Sequence, residues 1–237
     1  MTARPEAAAG RPETDARSGE ARLLGFAVTL SAFVAALIMA GLDLFVGVPE
    51  GKGRTISAYV YSDWAWVFHT AVWLLVAATL TLTVALVRTG LRRPLSAPVV
   101  LFAVAAVGLV LLAVFPKTDW TVGDSLSGRI HRLGALIAFV VPPVATLRLT
   151  RGAPEWTARL ARLVAALILV MLVAIVGLVV AFVADGGSTW YRAFPLGTVE
   201  RVVVGSLLVA LGLLGRWVAV TTQGSTGGTP ARPALDG

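Results

Sequence analysis

The chain contains no cysteine. Disulfides, thiolate metal sites and cysteine nucleophiles are therefore excluded, and the redox compartment stays open. Histidine occurs only twice, as His69 and His131. Neither stands in an HExxH-type spacing, and no GxSxG elbow or phosphate-binding glycine loop is present. Charge is scarce: 14% of residues are Asp, Glu, Lys or Arg, where a soluble domain carries about 25%. Hydrophobic residues make up 57% of the chain and mean hydropathy is +0.83, which points to a polytopic membrane protein. The 237 residues fit one membrane bundle and leave no room for a separate soluble domain. The net charge of +7 does not point to nucleic acid. The arginines sit in short loops beside apolar segments, where they set orientation, and no basic face with interleaved aromatics lies outside them.

The expected fold class is all-α, a bundle of six transmembrane helices. Residues 1–21 are polar and residues 222–237 are Gly, Ser, Thr and Pro-rich; both are read as disordered cytoplasmic tails. Between them, residues 22–221 form the bundle. The apolar segments run approximately over 23–48, 64–87, 97–115, 128–149, 160–184 and 196–221. Each is long enough to cross a hydrocarbon layer about 30 Å thick as a helix. The first is too long for a signal h-region and ends without a small-x-small site, so no cleavable signal is expected. Pro142 and Pro143 lie inside the fourth segment, where each removes a backbone donor and a kink is expected.

Orientation follows from the basic residues in alternate connections. The set containing Arg22, Arg88, Arg92, Arg93, Arg148 and Arg151 is the richer in basic residues. The opposite set, with Lys117, Arg129, Arg132 and Arg201, is mixed with Asp63, Asp119, Asp124 and Glu200. Both termini are therefore expected to be cytoplasmic, and the location is expected to be the plasma (inner) membrane.

With that orientation, the ionisable residues at membrane depth cluster toward the outer side. Asp43 lies near the end of segment one, His69 one turn into segment two, Arg129 and His131 at the start of segment four, and Glu200 with Arg201 at the start of segment six. Such residues are costly in lipid and usually face the bundle interior or a water-filled cavity. An outward polar pocket centred on Asp119 and His131 is the expectation. Arg201 to Asp43 and Glu200 to Arg129 are the expected pairings, because adjacent Glu200 and Arg201 cannot face each other on a helix. Trp66, His69 and Trp73 share one helix face by spacing. Tyr59, Tyr61, Trp64 and Trp66 fit an interfacial aromatic belt.

Several of these residues form a pattern. Thr55-Ile56-Ser57-Ala58-Tyr59, Phe115-Pro116-x-Thr118-Asp119, His131 and Glu200-Arg201 resemble the DUF998 family of six-helix bacterial and archaeal membrane proteins of unknown function. The resemblance covers about residues 22–220 and implies a role for Ser57, Pro116, Asp119, His131, Glu200 and Arg201. His69 belongs to no part of the pattern, and the family brings no reaction with it.

The leading functional expectation is binding or movement of a lipid headgroup or small polar solute. Arg129, Arg132 and Arg201 would contact an anionic group that Asp119 and His131 orient; Asp43, Ser57, His69 and Glu200 complete the candidate set. No internal repeat supports an inverted-repeat transporter. The alternative is an accessory subunit with a membrane-protein partner, in which Gly205, Ser206, Gly212 and Gly215 permit close helix approach. A metal-dependent intramembrane hydrolase would need three protein ligands, drawn from His69, His131 and Asp119 or Asp43. A haem held by His69 and His131 is a further option. Neither is favoured: no cofactor or metal is expected, and the enzyme question is left open with the balance against it.

Overall fold

In the computed structural model, residues 11–47, 55–119, 122–187 and 194–221 are described. Six helices long and apolar enough to cross a membrane follow in order. They are α1 (Arg11–Gly41), α2 (Ala65–Arg88), α3 (Ala97–Val114), α4 (Leu126–Leu149), α5 (Trp156–Ala184) and α6 (Leu196–Thr221). A π-helical turn, Leu42–Val46, extends α1, and a short 3-10 helix, Ile56–Tyr61, precedes α2. No strand is present among the described residues.

The helices pack as a closed ring in which each sequence neighbour is a spatial neighbour and α6 returns to α1. Short connections force alternating directions, so one end gathers the loop after α1, the α3–α4 loop and the start of α6. We call this the polar end. The α2–α3 and α4–α5 loops lie at the other, arginine-rich end. The core comes from Val28, Phe68, Phe102, Leu149 and Leu214, all fully or nearly fully buried. On α5 only the first half is buried, through Thr157, Ala158, Ala161, Ala165 and Ile168. Val170, Val173, Val176, Val180 and Val183 point outward, as lipid-facing residues do.

In lipid, helices associate through close packing rather than through loss of water contact. The α1–α6 seam shows this. A Cβ on Gly215 would meet the Thr29 hydroxyl at 2.6 Å and the Gly25 carbonyl at 2.7 Å, and a Cβ on Gly25 would fall on the Gly215 carbonyl. Thr29 fills the gap by donating to the carbonyls of Gly25 at 2.9 Å and Gly212 at 3.2 Å. Of the small residues flagged in segment six, Gly215 makes the close approach. Gly205 and Gly212 have open space where a Cβ would stand.

One expectation changes. The helix begins at Arg11, ahead of the apolar segment, so residues 11–21 continue α1 instead of forming a tail. Ala16, Glu20 and Ala21 are good helix formers, and Pro12 falls in the first turn, where its missing N–H is no loss. Residues 1–10 and 222–237 lie outside the described residues. α4 runs unbroken from Leu126 to Leu149 through both prolines, its neighbours α3 and α5 holding it on either side.

Candidate functional site

The polar end is held together by side chains that satisfy exposed helix termini. The last carbonyls of a helix and the first N–H groups of the next lack partners of their own. His131, on the first turns of α4 and only 6% exposed, meets this need for α3. Its Nδ1 lies 2.8 Å from the carbonyl of Phe115, the residue that ends α3. The Leu112 carbonyl lies beside it. A carbonyl only accepts, so Nδ1 carries the hydrogen, and in the neutral ring Nε2 is left as an acceptor.

Glu200 does the converse for the 3-10 helix. The Ile56 N–H donates to its carboxylate at 2.6 Å, and the Ser57 N–H and hydroxyl turn to the same group. The expected Glu200–Arg129 pairing is therefore corrected. Glu200 closes the N-terminus of a helix that periodicity does not reveal, while Arg129 is exposed and donates to Asp124 at 2.8 Å.

The Arg201–Asp43 pairing is present. Two parallel bonds of 2.7 Å join them. Arg201 also donates to the Gly197 carbonyl at 3.0 Å, and the Tyr59 hydroxyl donates to Asp43 at 2.8 Å. Tyr59 is fully buried, so it leaves the aromatic belt. Trp64 and Trp66 remain exposed at the rim with stacked rings. Burial and the Asp43 carboxylate push the Tyr59 phenol up to about 12.

The stretch after α3 lies against the start of α4. Ser125 caps α4 by accepting from the Gly128 N–H at 3.1 Å. Ser127 donates to the Pro116 carbonyl at 3.0 Å, and Arg132 donates to Thr118 at 3.3 Å and Asp124 at 2.9 Å. A Cβ on Gly128 would lie 2.7 Å from the Thr118 Cβ and 2.8 Å from its backbone nitrogen, so this crossing requires glycine. The two arginines beside Asp124 hold its carboxyl below the usual carboxylate range. Lys117 donates to the Thr55 hydroxyl, and its carbonyl accepts from the Tyr61 hydroxyl. Burial pushes the Lys117 amine down, opposed by the nearby Glu200 charge.

Between these caps lies a cavity of about 160 Å³, lined by Ser57, Lys117, Thr118, His131, Arg132, Ala135 and Glu200. Four of the flagged residues, Ser57, His131, Arg132 and Glu200, meet there. Asp119, Arg129, Asp43, Arg201 and His69 are not among its lining residues. The Asp119 carbonyl instead accepts from the N–H groups of Val122 and Gly123, both at 3.0 Å. His69 lies edge-on to Phe68, with ring centroids 5.7 Å apart. No three His, Asp or Glu side chains converge among the described residues, so the metal-ligand set drawn from His69, His131 and Asp119 or Asp43 is not assembled.

Lys117 escaped the sequence reading as a site residue, although it stands inside the stretch that carried most of it, and Thr118 entered only as part of the motif. Lys117 counted there only as a topological charge. Its signal was being the one lysine beside an apolar segment end in an arginine-rich chain.

Residues 51–217 match a family model described as "Protein of unknown function (DUF998)". No curated protein and no solved structure matches the chain. The matched span includes Ser57, Lys117, His131 and Glu200 but begins after Asp43.

Proposed function

We propose that this chain, which belongs to the DUF998 family, holds a lipid headgroup or small polar solute in the cavity at its polar end. The observation that carries the reading is the lining itself: Lys117, Arg132, His131 and Glu200 converge on about 160 Å³, room for one small polar group. Lys117 and Arg132 supply donors for an anionic oxygen. His131 Nε2 offers an acceptor for a ligand hydroxyl or ammonium. Ionisable groups gathered at membrane depth around a cavity lean toward function. In this reading the polar end faces outward, both termini are cytoplasmic, and the membrane is the plasma membrane.

An accessory role is the second reading. It draws on the second half of α5, whose valine face is exposed among the described residues.

Native mass spectrometry of the detergent-purified chain tests the first reading. Wild type is compared with Lys117→Gln and His131→Ala. The expected result is a bound mass that both variants lose while staying folded. If His131→Ala unfolds through loss of its cap on α3, Lys117→Gln still decides. Bare protein in wild type, or a bound mass indifferent to Lys117→Gln, overturns the reading. A reporter fused after Gly237 tests the orientation: a cytoplasmic signal is expected, and an external one ends it.

A further inference from the structure

A second cavity lies at the opposite end of the bundle. It measures about 590 Å³ and is lined by Gly90, Leu91, Arg92, Arg93, Leu95 and Ser96 of the α2–α3 loop. Arg92 is held in place from one side: it donates to the Leu149 carbonyl at 2.6 Å and to the Leu91 carbonyl at 2.9 Å. A guanidinium has five N–H donors, so these bonds leave others open. Arg93 is exposed; its carbonyl accepts from the Ser96 N–H at 3.0 Å, and its guanidinium has no partner among the described residues. The Ser96 hydroxyl is buried without a hydrogen-bond partner among the described residues and does not cap α3.

The neighbouring α4 terminus shows the same deficit. Arg162 reaches the Thr150 hydroxyl at 3.4 Å through Nε, while its Nη2 is buried with no partner among the described residues. Buried donors without acceptors are uncommon and point to a missing water or ion. Carboxylates do not supply the need: Glu20 is tied to Arg88 at 2.8 Å, and Glu155 accepts from the Trp217 ring nitrogen at 3.3 Å. The loop also presents Leu95, 89% exposed, two residues before a membrane-spanning helix begins. A cationic lining with a leucine at the edge of the hydrocarbon suits an amphiphile better than a free ion.

We propose that this cavity binds the phosphate of an anionic phospholipid. Arg92 and Arg93 hold the phosphate oxygens, and Leu91 and Leu95 lie against the glycerol and first acyl carbons. Basic pockets at the ends of membrane helices take anionic headgroups in this way. The inference is independent of the polar-end cavity and of which leaflet this end faces.

The test uses the full chain in micelles carrying equal phosphatidylglycerol and phosphatidylcholine, read by native mass spectrometry. Wild type is expected to retain phosphatidylglycerol preferentially. Arg93→Gln is expected to lower that preference by about fivefold, the effect of one interfacial arginine, with an unchanged melting temperature because the Arg93 guanidinium makes no bond among the described residues and its backbone bond from Ser96 is kept. Arg148→Gln, an exposed arginine at the same end but outside the cavity lining, is expected to leave it unchanged, which separates this site from a general effect of basic residues. Equal retention of the two lipids, or a preference that Arg93→Gln does not move, overturns the proposal. Displacement of phosphatidylglycerol by excess inorganic phosphate overturns the lipid assignment and makes the site one for the free anion.

Discussion

Arg201 grips Asp43 through two parallel bonds, Nε to Oδ2 and Nη2 to Oδ1, each 2.7 Å long. The pair joins the start of α6 to the end of α1 across 158 positions of sequence. The side chains are 30% and 28% exposed, so the bond is partly shielded from water. Removing one partner leaves the other charged and unpaired at that depth. Asp43→Asn is expected to cost about 2 kcal/mol, below the range for a fully buried pair. Thermal unfolding in detergent measures it, and the Asp43→Asn, Arg201→Met double variant is expected to cost less than the two single losses added. Strict additivity would show that the pair contributes nothing beyond its separate parts.

The Tyr59 phenol, pushed up to about 12 by burial and by Asp43, gives a separate handle on the same junction. Its unfolded value is 10.0. Between these limits the folded chain keeps a proton that the unfolded chain loses, so stability is full below pH 10 and falls as pH rises toward 12. Absorbance titration is expected to show one of the three tyrosines ionising last. Tyr59→Phe removes that step. Three tyrosines titrating together near 10 would contradict the burial.

Gly128 is where the α3–α4 stretch presses hardest on a helix. Gly128→Ala would place a methyl 2.7 Å from the Thr118 Cβ, displacing Thr118 and with it one wall of the polar cavity. The expected loss is about 2 kcal/mol, in the range for overpacking. Thr118→Ala added to it is expected to recover only part, since the Thr118 backbone nitrogen would still be 2.8 Å from the new methyl. Full recovery would mean that the hydroxyl alone sets the contact.

The spans were legible because lipid demands long apolar runs, and such runs are counted rather than inferred. The Arg201–Asp43 bond was legible too. Two opposite charges at one depth in an apolar bundle have few other partners, and Glu200, adjacent to Arg201 on the helix, cannot face it. The role of Glu200 was not, because its partner is a backbone N–H of a short 3-10 helix, and backbone groups carry no residue signature. Arg129 misled for the opposite reason: at a helix start it meets Asp124 in its own loop, and a local pair forms before a distant one. Lys117 was hidden by its loop position, where lysine ordinarily faces water.

Lys117 separates ligand binding from packing through pH. Burial lowers its amine from the ordinary 10.5, and Glu200 restores only part of the shift. For a base with a lowered folded value, the unfolded chain binds the extra proton in the window between the two values. Bundle stability therefore rises as pH climbs through that window, and the cost of burying the charged amine is fully present below it. Retention of an anionic ligand moves the other way, because the same titration removes the ammonium that holds it. The expected result is a melting temperature that rises while bound mass falls, over one pH range below 10.5, with both trends absent in Lys117→Met. A bound mass that stays constant across that range would show that the cavity holds its ligand without the lysine charge. The donor role would then rest on Arg132, already shared with Asp124 at 2.9 Å.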